Sequence, residues 1–205
     1  RYAKEAPEDH KNKYMYETKV VDYKTAARNG EPFMQLIKVR GIAPNPVARF
    51  CTVDLKIRAI RDFVDSIAWE MPYVGFIGIR ADEQRRAAKM HGTKESGQER
   101  FLPLWLDGVT KEHIYDFWIN SDFDLNLPNN NGVTDWGNCD LCFLKGHSKR
   151  MSIIRERPDL ADWWIDAEAS LSKDVGKAAY FRSDTPSYSD MKITATTQDT
   201  FDFGD

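Results

Sequence analysis

The chain has 205 residues, 41% hydrophobic and 30% charged, with a formal net charge of −3 and a pI of about 5.9. That is enough for one α/β or α+β domain with its own core, and it lacks the overall basic footprint of a nucleic-acid binder. No apolar run reaches the roughly 18–20 residues that span a bilayer, and the polar "RYAKEAPEDHKNKYMYE" at the N-terminus has no apolar signal-peptide core.

In chain order, the first sixteen residues read as charged and irregular. "TKVVDYKTAARNGEPF" reads as a short strand or helix broken at "NGEP", a turn signal. "MQLIKVRG" is a short apolar segment ending in Gly41, and the prolines of "IAPNPVARF" make it a loop that delivers Cys51. "TVDLKIRAIRDFVDSI" predicts a helix with Thr52 as N-cap and Asp54 in its first turn. Ile57, Ile60, Val64 and Ile67 recur at helical spacing and predict one buried face. "YVGFIGIR", residues 73–80, is a continuous apolar run that predicts a strand buried on both faces, as in parallel sheets. "ADEQRRAAKM" follows as a helix, which places Gly78, Arg80 and Asp82 at the carboxyl end of a strand, where open α/β sheets bind ligands.

"ERFLPLWL" predicts another strand and "TKEHIYDFWINS" a helix capped by Thr110, with Val109 and Ile114 placed as a hydrophobic staple. "DFDLNLPNNNGVTDWGN" is a long polar loop leading into Cys139 and Cys142. "SKRMSIIRERPDLADWWIDAEASL" reads as two helices joined at Pro158. Residues 1–172 are expected to form one domain, and 173–205 a polar tail ordered only in part.

Three cysteines are an odd set, unlike a secreted disulfide framework. A reducing, cytoplasmic setting is expected, where C-x-x-C serves metals or catalysis. Cys51 stands at a predicted helix N-terminus, and Cys139 and Cys142 in a loop ahead of another helix. Both positions favour thiolates and lower a thiol pKa. Three thiolates would hold an iron–sulfur cluster with one iron free of protein sulfur, or a zinc with a fourth ligand such as His147. The bland alternative is a buried Cys51 and a mere turn at 139–142.

Basic residues offer a second chemistry. Arg80, Arg85 and Arg86 follow the apolar strand, Lys56 lies one turn into the Cys51 helix, and Lys145, Lys149 and Arg150 follow the C-x-x-C. Arginine recognises phosphate through paired N–H groups and lysine adds point charge, although Arg85 and Arg86 suit a solvated helix face equally well. Arg80 differs in standing where a strand emerges. Trp105, Trp118, Trp163 and Trp164 read as packing residues. His113 reads as a helix-surface residue, and His10 and His91 lie in polar stretches. No Ser-His-Asp arrangement, HExxH or GxGxxG motif occurs.

"RFCTVDLKI", "GFIGIRADEQRR", "FLPLWLDGVTKEHIYDFW" and "GNCDLCFLKG", in this order, resemble the phosphoadenosine phosphosulfate reductase-like family, in its bacterial and phage branch with a three-cysteine site. That family belongs to the adenine nucleotide α-hydrolase superfamily. The resemblance runs from about Val20 to Tyr188. It implies an α/β fold with a mainly parallel sheet, Gly78, Ile79 and Arg80 at a nucleotide or phosphosulfate site with Asp82 and Arg86 beside them, and Lys56 lining the same pocket. It implies Cys51, Cys139 and Cys142 gathered nearby. Related sulfur-transfer enzymes use three cysteines and leave one iron for a substrate sulfur, so the resemblance favours a [4Fe–4S] cluster over zinc. The expected ligands are an adenine nucleotide (ATP or phosphoadenosine phosphosulfate) and a sulfur acceptor. Family members begin with a strand and an S-G-G-x-D-S phosphate loop that is not found here, and Arg1 corresponds roughly to the end of the family's third strand. The expectation is a fragment or split product, or a chain that has lost nucleotide hydrolysis, with a sheet edge open to a partner chain or self-association. The family's C-terminal cysteine nucleophile is missing from "DMKITATTQDTFDFGD", which favours adenylating sulfur transfer over phosphosulfate reduction. The alternative is a non-catalytic, partner-binding or remnant domain whose cysteines hold a structural zinc.

Overall fold

The computed structural model describes residues 2–5, 8, 14–68, 71–90, 99–128, 133–175 and 180–198. His10 and His91 lie outside the described residues. In chain order the elements are β1 (Tyr2–Glu5), β2 (Tyr14–Glu17), α1 (Glu31–Arg40), α2 (Phe50–Thr52), a π-turn (Val53–Ile57), α3 (Arg58–Ala68), β3 (Val74–Phe76), α4 (Gln84–Met90), β4 (Glu99–Phe101), α5 (Pro103–Leu106), α6 (Lys111–Ile119), α7 (His147–Glu156), α8 (Leu160–Val175) and α9 (Tyr188–Gln198). The chain divides into two compact units, the first of Arg1–Ile67 with Gly137–Asp205 and the second of Ala68–Trp136. Among the described residues each unit carries one two-stranded sheet, and no helix is long and apolar enough to cross a membrane.

The first unit holds most of the buried apolar side chains. Its N-terminal stretch, expected to be irregular, is an antiparallel hairpin with Tyr2 opposite Glu17 and Glu5 opposite Tyr14. Ala3 of this hairpin packs with Leu36 of α1 and Phe50 of α2. The "NGEP" stretch does not break an element but starts α1. Gly30 caps it in the left-handed region, at φ 74°, where a Cβ would meet the Trp163 Nε1 at 2.7 Å, so only glycine fits. At the other end Gly41, φ 65°, closes the helix by donating to the Ile37 and Lys38 carbonyls, as left-handed C-terminal caps do.

The Cys51 helix differs from expectation at its start. Thr52 is helical (φ −66°, ψ −44°) and caps nothing, and Cys51 lies inside the first turn rather than ahead of it. Five residues of π-turn follow, an irregularity frequent at functional sites. The turn carries Asp54, whose side chain is fully buried. Its carboxylate accepts from Arg40 Nη2 at 2.6 Å, Arg58 Nη1 at 2.7 Å and Tyr16 Oη at 3.2 Å. Asp54 therefore ties β2, α1 and α3 together instead of facing a helix dipole. Burial raises the Tyr16 phenol above its ordinary value, with the Asp54 charge adding to it. The apolar face of α3 is not buried as expected, for Ile57, Ile60 and Ile67 are 46%, 60% and 68% exposed.

Two helices meet at Pro158 as expected: α7 and α8. The stretch expected as a polar tail contains α9, which packs on both. Tyr188, Met191 and Ala195 are its buried face, at helical spacing. Trp164 is buried among Phe181 and Tyr188, with ring centroids 4.9 Å and 5.1 Å away. Trp163 stacks on Phe33 at 5.3 Å. These tryptophans are packing residues.

The second unit has a small core of Ile79, Ala87 and Leu102 with Trp105 against it. Its strands β3 and β4 pair in parallel, Val74 opposite Glu99 and Phe76 opposite Phe101. The expected strand of residues 73–80 is shorter and only half-covered, with Val74 and Phe76 at 47% and 72% exposed. "ERFLPLWL" splits into β4 and the short α5, since Pro103 cannot donate to a sheet ladder but suits a first helical turn. Thr110 caps α6 as expected, with the His113 ring nitrogen accepting from the Thr110 N–H at 3.1 Å.

Candidate metal centre

All three cysteines belong to the first unit. They are free thiols, with Cys139 exposed and Cys51 and Cys142 half-buried. Two successive tight turns shape the C-x-x-C loop. The Cys142 N–H donates to the Cys139 carbonyl at 3.3 Å, and the Lys145 N–H to the Cys142 carbonyl at 2.8 Å. Asn138 enters the first turn in the left-handed region, φ 65°, which asparagine tolerates better than most residues. Leu141 and Phe143, on either side of Cys142, are buried. The loop is therefore pinned by apolar side chains while its cysteines stay accessible.

Cys139 and Cys142 act electrostatically on Cys51. Burial pushes the Cys51 thiol up, hydrogen bonding from Thr52 works against it, and both Cys142 and Cys139 add to the rise. Burial also pushes Cys142 up, and Cys139 adds to it, while the Leu144 N–H, Lys145 and Arg49 favour the thiolate. The expected lowering of the Cys51 pKa by the helix terminus is thus reversed by desolvation. The Arg49 charge, two residues before Cys51, thus acts on Cys142 in the C-x-x-C loop. Among the described residues no three His, Cys, Asp or Glu side chains stand ready to hold a metal ion. His147 is exposed at the first position of α7. In donor type the set of three soft thiols suits zinc or an iron–sulfur cluster.

Lys56 lies exposed in the π-turn after Cys51. The remaining residues expected at the phosphates belong to the second unit. Gly78 is exposed. Arg80 forks onto Asp82 through Nε at 2.9 Å and Nη2 at 2.8 Å, and lies 3.7 Å from Glu83. These hydrogen bonds hold the Asp82 carboxyl below the usual carboxylate range. Arg86 pairs with Glu83 one turn away. Arg80, Asp82 and Arg86 thus form one ionic cluster with Glu83.

Sequence reasoning missed Tyr188 and Arg182, which hold the cysteine loop, and gave Arg150 a different role. Tyr188 donates from its hydroxyl to the Leu141 carbonyl at 2.5 Å. Arg182 Nη1 donates to the Phe143 carbonyl at 3.4 Å. Arg150, expected among the basic residues suited to phosphate, is 1% exposed. Its guanidinium lies over the Tyr188 ring at 5.6 Å and donates to Thr185 Oγ1 at 3.2 Å. A signal existed in "TPSYSDM". Ser187 and Asp190 have the spacing of a helix-capping pair, and the Asp190 N–H does donate to Ser187 Oγ at 3.1 Å.

No protein-family profile matches the chain, and no solved structure matches it. Over 119 residues, 58% of this chain, it is 30% identical to an uncharacterized nin region protein, ORF290, of Escherichia phage lambda. The matched stretch covers 37% of that protein's length.

Proposed function

We propose that this protein is an iron–sulfur-cluster-binding, nucleotide-dependent sulfur-transfer or phosphosulfate-reductase-like protein, working in a reducing cytoplasm. Cys51, Cys139 and Cys142 are its metal ligands. The observation that supports this reading is that three cysteines from two distant parts of the sequence fall in one unit, with Cys142 and Cys139 both raising the Cys51 pKa and Cys139 raising that of Cys142. In the metal-free chain burial keeps Cys51 and Cys142 protonated, so loading a metal must release those protons and draw the sulfurs into a closer set. When bound, the cluster supplies an iron that protein sulfur does not fill, where a substrate sulfur can sit. Lys56, in the same unit as the cysteines, offers a positive charge for an anionic substrate. Arg80 can grip a nucleotide phosphate only by exchanging Asp82 for it, a fork-for-fork replacement that guanidinium geometry permits.

A second reading is a partner-binding or remnant domain in which the same cysteines hold a structural zinc. The ionic cluster of Arg80, Asp82, Glu83 and Arg86 favours it, because it leaves those arginines already satisfied by carboxylates. Anaerobic purification separates the two. A brown protein with iron and acid-labile sulfide near four atoms of each per chain supports the cluster. A colourless protein with one zinc overturns the cluster and supports the structural site. Protein free of iron and zinc, even after anaerobic reconstitution, sinks both.

A further inference from the structure

The carbonyls on both sides of Cys142 are held by one segment of chain that lies far from it in sequence. The Tyr188 hydroxyl donates to the Leu141 carbonyl at 2.5 Å, in a buried setting. Arg182, anchored to Asp184 by Nε at 2.8 Å, donates to the Phe143 carbonyl at the longer 3.4 Å. The segment is itself clamped. Glu168 of α8 accepts from the Phe181 N–H and the Tyr188 N–H, each at 3.2 Å. Phe181 stacks on Phe143, with ring centroids 5.7 Å apart, and Trp164 stacks on Tyr188. The Arg150 guanidinium lies over the Tyr188 ring at 5.6 Å, with its Nε buried and without a hydrogen-bond partner.

A carbonyl in a loop normally takes its hydrogen bond from water or from its own turn. Here a phenol at the start of α9 and a guanidinium from the segment before it take the carbonyls of residues 141 and 143. The residue between them is a candidate ligand. We infer that Tyr188, seconded by Arg182, is a positioning residue for the cysteine centre. Together they fix the backbone around Cys142, and thereby the approach of its sulfur to Cys51. This inference rests on the metal-site reading for its purpose. The latch itself is testable without metal.

The test uses the full chain with Tyr188→Phe, which removes one hydroxyl and keeps the ring. In metal-free, reduced protein, iodoacetamide alkylation is followed at Cys142 and Cys139 by peptide mass spectrometry, well below the melting temperature. Wild-type Cys142 reacts more slowly than the exposed Cys139. In Tyr188→Phe its rate rises towards that of Cys139. Met191→Ala, buried on the same helix without a hydrogen bond to the loop, is the stability control and leaves the ratio unchanged. Arg182→Gln, at a partly exposed side chain, gives a smaller change in the same direction and serves if Tyr188→Phe does not fold. In a zinc competition against a chelator, Tyr188→Phe weakens binding by about 10-fold or more, the usual loss when an outer-sphere hydrogen bond to a metal site is removed. Unchanged Cys142 reactivity in Tyr188→Phe overturns the inference, as does an equal rise in Met191→Ala. A wild-type chain that shows the alkylation effect but binds neither iron nor zinc keeps the latch and sinks the metal reading.

Discussion

The two units are built on different economies of burial. The first buries a wide aromatic and aliphatic core and, within it, the charges of Asp54 and Arg150. The second rests on Ile79, Ala87 and Leu102 and keeps its ion pairs at the surface. The three cysteines stand on the first and Arg80 on the second. Ligating a metal demands sulfurs fixed to fractions of an ångström, which a dense core with buried hydrogen bonds can supply. Gripping a phosphate requires only that Arg80 change partners, and a thinly cored unit that opens locally at low cost accommodates such a change.

The largest expected effect tests the first unit. Asp54→Ala leaves Arg40 and Arg58 without their shared buried carboxylate, and denaturant unfolding should show a loss of about 3 kcal/mol, the low end for a broken buried pair because Arg58 is partly exposed. A loss no larger than that of a surface substitution would erase the contrast between the units. Next comes Leu102→Ala in the second unit, expected to cost about 2–3 kcal/mol because a small core collapses partly into the cavity. Hydrogen exchange should quicken from β3 to α5 while β1, α1 and α7 keep their protection. Uniform quickening across both would show that the units unfold as one.

A smaller effect concerns pH. Burial raises the Glu168 carboxyl above its ordinary value, against the Tyr188 and Phe181 N–H groups and the Arg150 charge, which favour ionisation. The folded chain therefore holds this proton to higher pH than the unfolded chain. Its contribution to stability is complete below the ordinary glutamate range and declines as pH rises through the raised value. Glu168→Gln should flatten that decline in melting temperature against pH, and an unaltered slope would refute the assignment. The smallest change in stability is expected for Asp82→Ala, which opens a partly exposed pair and leaves the melting temperature unmoved. It releases the Arg80 fork from Asp82 and leaves only the longer pairing with Glu83, so pyrophosphate should bind more tightly than to the wild type by calorimetry. Equal or weaker binding would remove Arg80 from the phosphate reading.

Much of the helical framework was legible as local signal. The apolar segment ending at Gly41, Thr110 capping α6 and Pro158 parting α7 from α8 are short-range effects of caps and backbone geometry, and short sequences encode them. Grouping Cys51 with the distant C-x-x-C took the cysteine count and a family resemblance, because nothing in the spacing of either half points to the other. The α3 stripe was misread for a physical reason. Helical spacing of Ile57, Ile60 and Ile67 shows that one face is apolar, but not that anything covers it.

From local chemistry alone, then, follow several of the helix ends, which residue types have the chemistry for metal or phosphate, and the absence of a membrane-length apolar run. The folded chain decided the rest. Desolvation outweighed the hydrogen bonding from Thr52 at Cys51, since burial around a thiol depends on residues far away in sequence. Asp54 and Arg150 went inside because their partners, Arg40 with Tyr16 and Tyr188 with Thr185, come from other elements. A stretch that reads as a polar tail became the support of the cysteine loop, because Tyr188 can reach the Leu141 carbonyl only after α7, α8 and α9 have packed.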